Sequence, residues 1–308
     1  MTHPRHILLF GARGQVGREL QRVLGPLGEV VAADREHADL TDSDAVRALI
    51  RNTQPSLLVN AAAYTAVDKA EEETELARMV NAVAPGILAE EAAALGAPLV
   101  HYSTDYVFDG TANRPYTEDD ATKPVNTYGR TKLAGEEAIR ERHAAHLILR
   151  TSWVYGLRRQ NFLRTMLRLA KTHPELRVVD DQIGAPTWCR TIAETTAVVL
   201  ARWLTDDEPS ARAGTYHLTC AGQTSWCGFA RAIFEAFIDQ PDDRPDVEPI
   251  PSSEYPTSAQ RPPFSVLDCR RLRDVFAVRL PEWSSALQMV AQDASDCRAY
   301  RRSAVSTE

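Results

Sequence analysis

The strongest constraint on this chain is a recurrence of short, continuously apolar runs along its first half: Ile7-Leu8-Leu9-Phe10, Val30-Val31-Ala32-Ala33, Leu57-Leu58-Val59, Leu99-Val100-His101-Tyr102 and Leu147-Ile148-Leu149. A strand with one wet face alternates apolar and polar residues, whereas a strand covered on both faces is apolar throughout, so these runs predict a parallel sheet with helices on either side. Segments of helical character separate the runs. One opens on Thr41-Asp42-Ser43-Asp44, where the Thr41 hydroxyl would cap the helix and Asp44 would answer it. The expected fold class is α/β, with a Rossmann-type doubly wound parallel sheet. After about residue 155 the pattern changes to mixed helices and isolated short strands, with Pro-containing and acidic stretches at 205–210 and 239–263 that read as solvated linkers or loops. The division this implies is a dinucleotide-binding domain over 1–155 and a smaller, interleaved, mainly substrate-binding α/β domain over 156–308.

Bulk properties remove several classes of partner. The 308 residues carry a formal net charge of −7, which repels nucleic acid and anionic membranes at long range. No window approaches the roughly 18 uninterrupted apolar residues of a membrane helix, and the segment before His6 has no signal-type apolar stretch, so a cytoplasmic location is expected. The cysteines at 189, 220, 227, 269 and 297 lack the close paired spacing of a zinc site and read as free thiols in a reducing compartment.

Directly after the first run comes Gly11-Ala12-Arg13-Gly14-Gln15-Val16-Gly17, leading into helical Arg18-Glu19-Leu20-Gln21. Glycines at these spacings let the chain turn tightly, let backbone amides approach a pyrophosphate and let helix and strand pack closely. The spacing is G-x-x-G-x-x-G, not the ordinary G-x-G-x-x-G, and a purely structural strand-to-helix turn would also use glycine. The second run ends at Asp34, a carboxylate suited to an adenosine ribose, followed by Arg35, suited to a 2′-phosphate, so the two residues point to NADH and NADPH respectively.

Tyr128-Gly129-Arg130-Thr131-Lys132 places a phenol and an ammonium four residues apart at the head of a helix, on one face. A neighbouring cation favours the phenolate and brings tyrosine closer to acid–base work at neutral pH, and the lysine can also hold a nicotinamide ribose. With nine Tyr and four Lys in the chain, random placement would give only roughly 0.1 such pairs, so the spacing carries information. Upstream, the fourth run delivers Ser103-Thr104-Asp105 at its C-terminal end, where open α/β sheets form their ligand crevice. The Thr104 hydroxyl is placed to bond a substrate carbonyl and share a proton with Tyr128; capping the following turn is the structural alternative.

Taken together, the glycine turn, Asn60-Ala61-Ala62-Ala63-Tyr64-Thr65-Ala66-Val67-Asp68, His101 to Gly110, Tyr128 to Glu136, Arg150-Thr151-Ser152-Trp153-Val154-Tyr155, Asp181 to Thr187 and Arg261 to Asp268 resemble the dTDP-4-dehydrorhamnose reductase family of extended short-chain dehydrogenase/reductases over nearly the whole chain. The resemblance implies NAD(P)H-dependent reduction of dTDP-4-dehydro-6-deoxy-L-mannose to dTDP-L-rhamnose, with Tyr128, Lys132 and Thr104 catalytic. It implies cofactor contacts at Gly11, Gly14, Gln15, Val16, Gly17, Asp34, Asp39, Leu40, Ala63, Tyr64, Thr65, Tyr128 and Lys132. It implies sugar-nucleotide contacts at Thr104, Asp105, Tyr128 and Trp153, although a tryptophan at a strand end is also a common core residue. Tyr64 stands where familiar members carry His. Some members are dimers bridged by magnesium through glutamates; Glu19 matches one such position, but Arg190 and the region of Gln292 take the others. A guanidinium cannot ligate a cation, so magnesium is not expected here and the chain would be a monomer or an unbridged homodimer.

Three other readings share these motifs. A reductase of a related dTDP-4-ketodeoxysugar in a specialised, antibiotic-type pathway would differ only in loop and pocket detail. A non-catalytic NADP-binding regulatory subunit would have no use for the intact hydroxyl, tyrosine and lysine. An epimerase or dehydratase on the same scaffold would recycle its nicotinamide instead of consuming it.

Overall fold

The computed structural model describes the backbone of residues 5–205 and 208–305, and the side chains of these residues up to 295. Six strands form one parallel sheet: β1 (His6–Phe10), β2 (Glu29–Ala33), β3 (Leu57–Asn60), β4 (Leu99–Thr104), β5 (His146–Thr151) and β6 (Gly214–His217), in the spatial order β6-β5-β4-β3-β1-β2. The order reverses beside β1, between β2 and β3, the switch point at which such sheets open a ligand crevice. The continuous apolarity of the runs is explained by helices on both faces. Ile7, Leu9, Leu57, Val59, Leu147 and Leu149 pack on one side, toward α1 (Gln15–Leu24), and Leu8, Phe10, Leu58, Leu99 and Ile148 pack on the other, toward α2 (Ser43–Thr53) and α3 (Ala84–Leu95).

Three local expectations change. The second run lies at the sheet edge and is only partly buried, because β2 has a single strand neighbour. The cap of α2 is Asp42, whose side chain accepts from the amides of Asp44 and Ala45, while the Thr41 hydroxyl donates to Asp39 at 2.9 Å. The stretch 239–263 is not all linker. Asp246–Ile250 is a strand paired in parallel with Glu175–Val179, where Val247 and Leu176 join a separate core containing Leu163, Phe229, Ile233 and Leu287. Asp206 and Asp207, inside the other expected linker, lie outside the described residues.

The main sheet takes its last strand, β6, from beyond residue 155, and the helix α5 (Cys189–Trp203) packs against α1. Between β4 and β5 runs the helix α4 (Thr127–Arg142), capped by the Asn126 side chain, which accepts from the Gly129 amide at 2.8 Å. Cys189, Cys220, Cys227 and Cys269 are free thiols; the Cys297 side chain lies outside the described residues. No helix among the described residues is long and apolar enough to cross a membrane.

Candidate active site

Register brings the C-terminal ends of the central strands together: Phe10 lies opposite Asn60, Asn60 opposite His101, and Thr104 opposite Thr151. From the end of β1 the chain turns through Gly11 at φ +77°, where a Cβ would lie 2.5 Å from the Ala62 nitrogen. At Gly17 a Cβ would lie 2.1 Å from the Gly11 carbonyl oxygen, so only glycine lets the helix start this close to the strand. The Gly14 amide closes the turn onto the Gly11 carbonyl oxygen at 2.9 Å, and the next amide to bond back is that of Arg18, at 3.1 Å from the Gly14 carbonyl oxygen. The amides of Gln15, Val16 and Gly17 therefore belong to the open end of α1, a cradle suited to a dinucleotide pyrophosphate. Gln15 also ties this end to the second half, its Oε1 accepting from Asn161 Nδ2 at 2.8 Å.

At the end of β2, Asp34 is held below the usual carboxylate range chiefly by a hydrogen bond from His37, with further contributions from the Glu36 amide and Arg13. Arg13 Nε approaches Asp34 at 2.6 Å, and its other guanidinium nitrogens donate to Glu36. Asp39 is bonded by the Thr41 amide and hydroxyl beside buried Leu40. Across the crevice, Tyr64 and the buried Asn81 exchange two bonds, amide to Oδ1 at 2.9 Å and Nδ2 to carbonyl at 3.1 Å, which fixes the Ala63-Tyr64-Thr65 backbone.

Thr104 performs the capping considered for it. Its Oγ1 accepts from the Tyr106 amide at 3.1 Å, capping the next turn, and its hydroxyl donates to Asp105 Oδ1 at 3.0 Å. Burial pushes the Tyr128 phenol up to about 12, opposed by the neighbouring Thr104 hydroxyl, with the Asp105 charge adding to the rise. The hydrogen bonds of the lysine run to β4. Lys132 Nζ donates to the Tyr102 carbonyl oxygen at 2.6 Å and lies 3.1 Å from His101 Nε2, because the α4 face carrying it packs onto the end of β4. Burial lowers the Lys132 ammonium to about 8, with Glu136 pulling the other way. The pair thus presents a protonated phenol and a lysine that titrates close to neutral pH, an arrangement suited to giving up a proton.

Asp105 is buried, with its carboxyl pushed up to about 7 by burial against hydrogen bonds from Ser265 and Thr104; its Oδ2 has no partner. Beneath the site, the fully buried Glu136 receives Arg150 Nε at 2.9 Å and Nη2 at 2.6 Å, the Ser103 hydroxyl at 2.6 Å and Arg140 at 3.1 Å. The Glu136–Arg150 pair, the Asn60–His101 contact and the Asn81 bridge went unmarked in the sequence. Their only signal was polar residues inside or beside otherwise apolar runs.

On the opposite wall, Trp153 adopts φ +45°, an unusual conformation for a bulky residue, and stacks on Trp226 with ring centres 3.5 Å apart and planes within 5°. Gly184 makes room for the indole, since a Cβ there would lie 2.4 Å from it. Trp226 Nε1 donates to Gln182 Oε1 at 3.2 Å, and Asp181 and Gln182 hold Ser252. An open cavity of about 480 Å³ lies there, between Asp181, Gln182, Tyr255 and Arg261. Arg261 donates two hydrogen bonds to the Asp68 carboxylate at 3.1 and 2.7 Å, and Tyr106 meets Tyr128 edge-on at 5.8 Å between ring centres. Glu19 pairs with Arg190 at 3.4 Å, and Arg190 also pairs with Asp293. Among the described residues no cluster of His, Cys, Asp or Glu is placed to hold a metal ion.

A parallel sheet with a glycine turn at its switch point, and a threonine–tyrosine–lysine constellation at the ends of β4 and α4, defines an NAD(P)-dependent oxidoreductase of the extended short-chain dehydrogenase type. A family model described as the RmlD substrate binding domain matches residues 5–295, and the chain belongs to that family. The dTDP-4-dehydrorhamnose reductase of Burkholderia thailandensis is 48% identical, the match covering 93% of this chain and 98% of the relative. A crystal structure of a dTDP-4-dehydrorhamnose reductase from Clostridium acetobutylicum superposes with a TM-score of 0.87 at 39% identity, covering 94% of this chain and 99% of the other. The Bacillus anthracis dTDP-4-dehydrorhamnose reductase in complex with NADP gives 0.86 at 34% identity, with the same coverage.

Proposed function

We propose that this chain reduces the 4-keto group of dTDP-4-dehydro-6-deoxy-L-mannose with NAD(P)H, giving dTDP-L-rhamnose. The observation that carries the chemistry is the placement of Thr104 at the end of β4 beside Tyr128 and Lys132 at the head of α4, in a chain matched almost end to end by reductases of that name. The glycine turn fits the cofactor, because Gly11 and Gly17 let the chain's own backbone pack so closely that the open amides of α1 start directly at the end of β1. When bound, the nicotinamide supplies the hydride to C4. Gly11, Gly14, Gln15, Val16 and Gly17 would hold the pyrophosphate end, Asp34, Asp39 and Leu40 the adenosine, and Ala63, Tyr64 and Thr65 the stretch of cofactor between adenosine and nicotinamide. Tyr128 donates its proton to the developing alkoxide, Thr104 polarises the carbonyl and Lys132 steadies the nicotinamide ribose and the phenolate left behind. Asp105 and Trp153 border the sugar. Residues 1–155 form mainly the cofactor domain and 156–308 mainly the substrate domain, and the enzyme works in the cytoplasm.

The test mixes the purified protein with dTDP-4-dehydro-L-rhamnose and NADPH or NADH, follows nicotinamide absorbance and identifies the sugar by NMR. Cofactor oxidation with dTDP-L-rhamnose formed is expected, reduced about 10²- to 10⁴-fold in Tyr128→Phe. Cofactor binding without turnover, or a different sugar product, would overturn the assignment.

A further inference from the structure

Behind Lys132 runs a polar chain whose other two members, Asn60 and His101, none of the assigned roles uses. Asn60, His101 and Lys132 are each 1% exposed and lie in line across β3, β4 and α4. Asn60 Oδ1 accepts from the Ala62 amide at 3.1 Å, which fixes the orientation of the side-chain amide. Its Nδ2 therefore faces His101 Nδ1 at 3.0 Å as a donor, and His101 Nε2 faces Lys132 Nζ at 3.1 Å. A neutral imidazole has one donor and one acceptor nitrogen. If Nδ1 accepts from Asn60, the ring proton is on Nε2 and Lys132 must receive it as a neutral amine. If Lys132 is an ammonium, it needs Nε2 as acceptor, the ring proton moves to Nδ1, and two donors then face each other at Asn60.

We propose that His101 is a positioning residue for the reaction, coupling the charge on Lys132 to the fixed amide of Asn60 so that the ammonium forms only when the ring proton moves from Nε2 to Nδ1. The opposing donors make the ammonium costly, which adds to burial in keeping Lys132 near neutrality. His101 stays neutral throughout, since burial and the Lys132 charge both hold its pKa well below the ordinary value. The other groups around Lys132 do not supply this control. Glu136, one turn along α4, favours the ammonium but is itself neutralised by Arg150 from β5 and by Arg140, with Ser103 from β4 bonded to it. Tyr128, one turn before, is a protonated phenol, and Asp105 lies on its far side with Thr104. The function of the coupling is to give the lysine a protonation equilibrium close to the working pH, where a group can both hold a proton and release it during a cycle.

This rests on the reductase reading for its kinetic arm only. The first measurement needs no substrate: ¹⁵N chemical shifts of the His101 ring in the wild-type protein across pH 6 to 10. The ring proton is expected on Nδ1 at low pH and on Nε2 at high pH, changing over near pH 8. A tautomer that stays constant through this range overturns the coupling, whatever the protein catalyses. The second is the pH profile of kcat/KM for ketosugar reduction. With Lys132 at about 8, the wild type is expected to fall about ten-fold between pH 7 and pH 9. In His101→Gln, whose amide oxygen accepts freely from the ammonium, a rise of one pH unit reduces this to about two-fold. A lower kcat with an unmoved basic limb would make His101 merely structural and overturn the proposal. No turnover in the wild type with the tautomer change intact would instead count against the reductase reading alone.

Discussion

Replacing Arg150 by methionine removes the cation but keeps most of the side-chain length, and leaves Glu136 as a carboxylate at the junction of β4, β5 and α4. In the wild type Glu136 is fully buried and Arg150 is 3% exposed, with two bonds of 2.9 and 2.6 Å between them. Removing one partner of such a pair costs about 3–5 kcal/mol, because the remaining charge stays desolvated. The loss is partly offset here, since Arg150 Nη1 is buried without a partner and relieving such a group returns about 1–3 kcal/mol. The expected net cost is about 2–3 kcal/mol, a drop in Tm on the order of 5 °C for a chain of this size. Adding Glu136→Leu removes the stranded charge and should recover more than half of the drop. The dependence on pH follows from the direction of the Glu136 shift. Burial disfavours its ionisation, but Arg150, Ser103 and Arg140 outweigh burial and hold it below the ordinary carboxylate range. A depressed folded pKa contributes stability that is present above the unfolded value of about 4.3 and is lost as pH falls through the folded value, so wild type and Arg150→Met should converge below about pH 4. Differential scanning fluorimetry at pH 7 and pH 4 checks this. A double variant no more stable than the single, or a Tm gap independent of pH, would refute the stranded-charge account.

Two further outcomes test the walls of the crevice. Trp226→Ala removes the partner that holds Trp153 flat, and at about 0.5–1.5 kcal/mol for an aromatic pair KM for the sugar nucleotide should rise about two- to ten-fold with kcat nearly unchanged; an equal fall in kcat, with circular dichroism showing an intact fold, would place the stack at the reacting centre instead. Arg13 pairs with Asp34 at the end of β2; with the adenosine bound there as proposed, Arg13→Ala should weaken NADPH roughly ten-fold relative to NADH, and steady-state KM values that move together would show that the guanidinium does not face the 2′-phosphate.

The architecture was legible because burial on both faces leaves its mark on composition: five continuous apolar runs became five strands of the parallel sheet. The glycine turn was legible for the same local reason, since Gly11 and Gly17 stand where any Cβ meets backbone. The sixth strand at 214–217, the strand at 246–250 and the Asp42 cap were not read correctly, because short elements take their state from partners distant in the chain.

By itself, then, the sequence determined the layers, the cofactor turn and the chemical types at the site: a hydroxyl, a phenol and an amine at positions 104, 128 and 132. Only the tertiary structure decided where those groups point. Spacing on α4 puts Tyr128 and Lys132 on one face, but whether the ammonium meets the phenol depends on what β4 presents there. It presents the Tyr102 carbonyl and His101, so the lysine answers to Asn60 on a third element. The charges were likewise ordinary in the sequence and became specific through packing, as Glu136 met Arg150, Asp68 met Arg261 and Asp34 met Arg13. The physical reason is range: local pattern encodes burial and backbone conformation within a few residues, whereas desolvation and hydrogen-bond partnership are set by groups that the fold brings together from far along the chain.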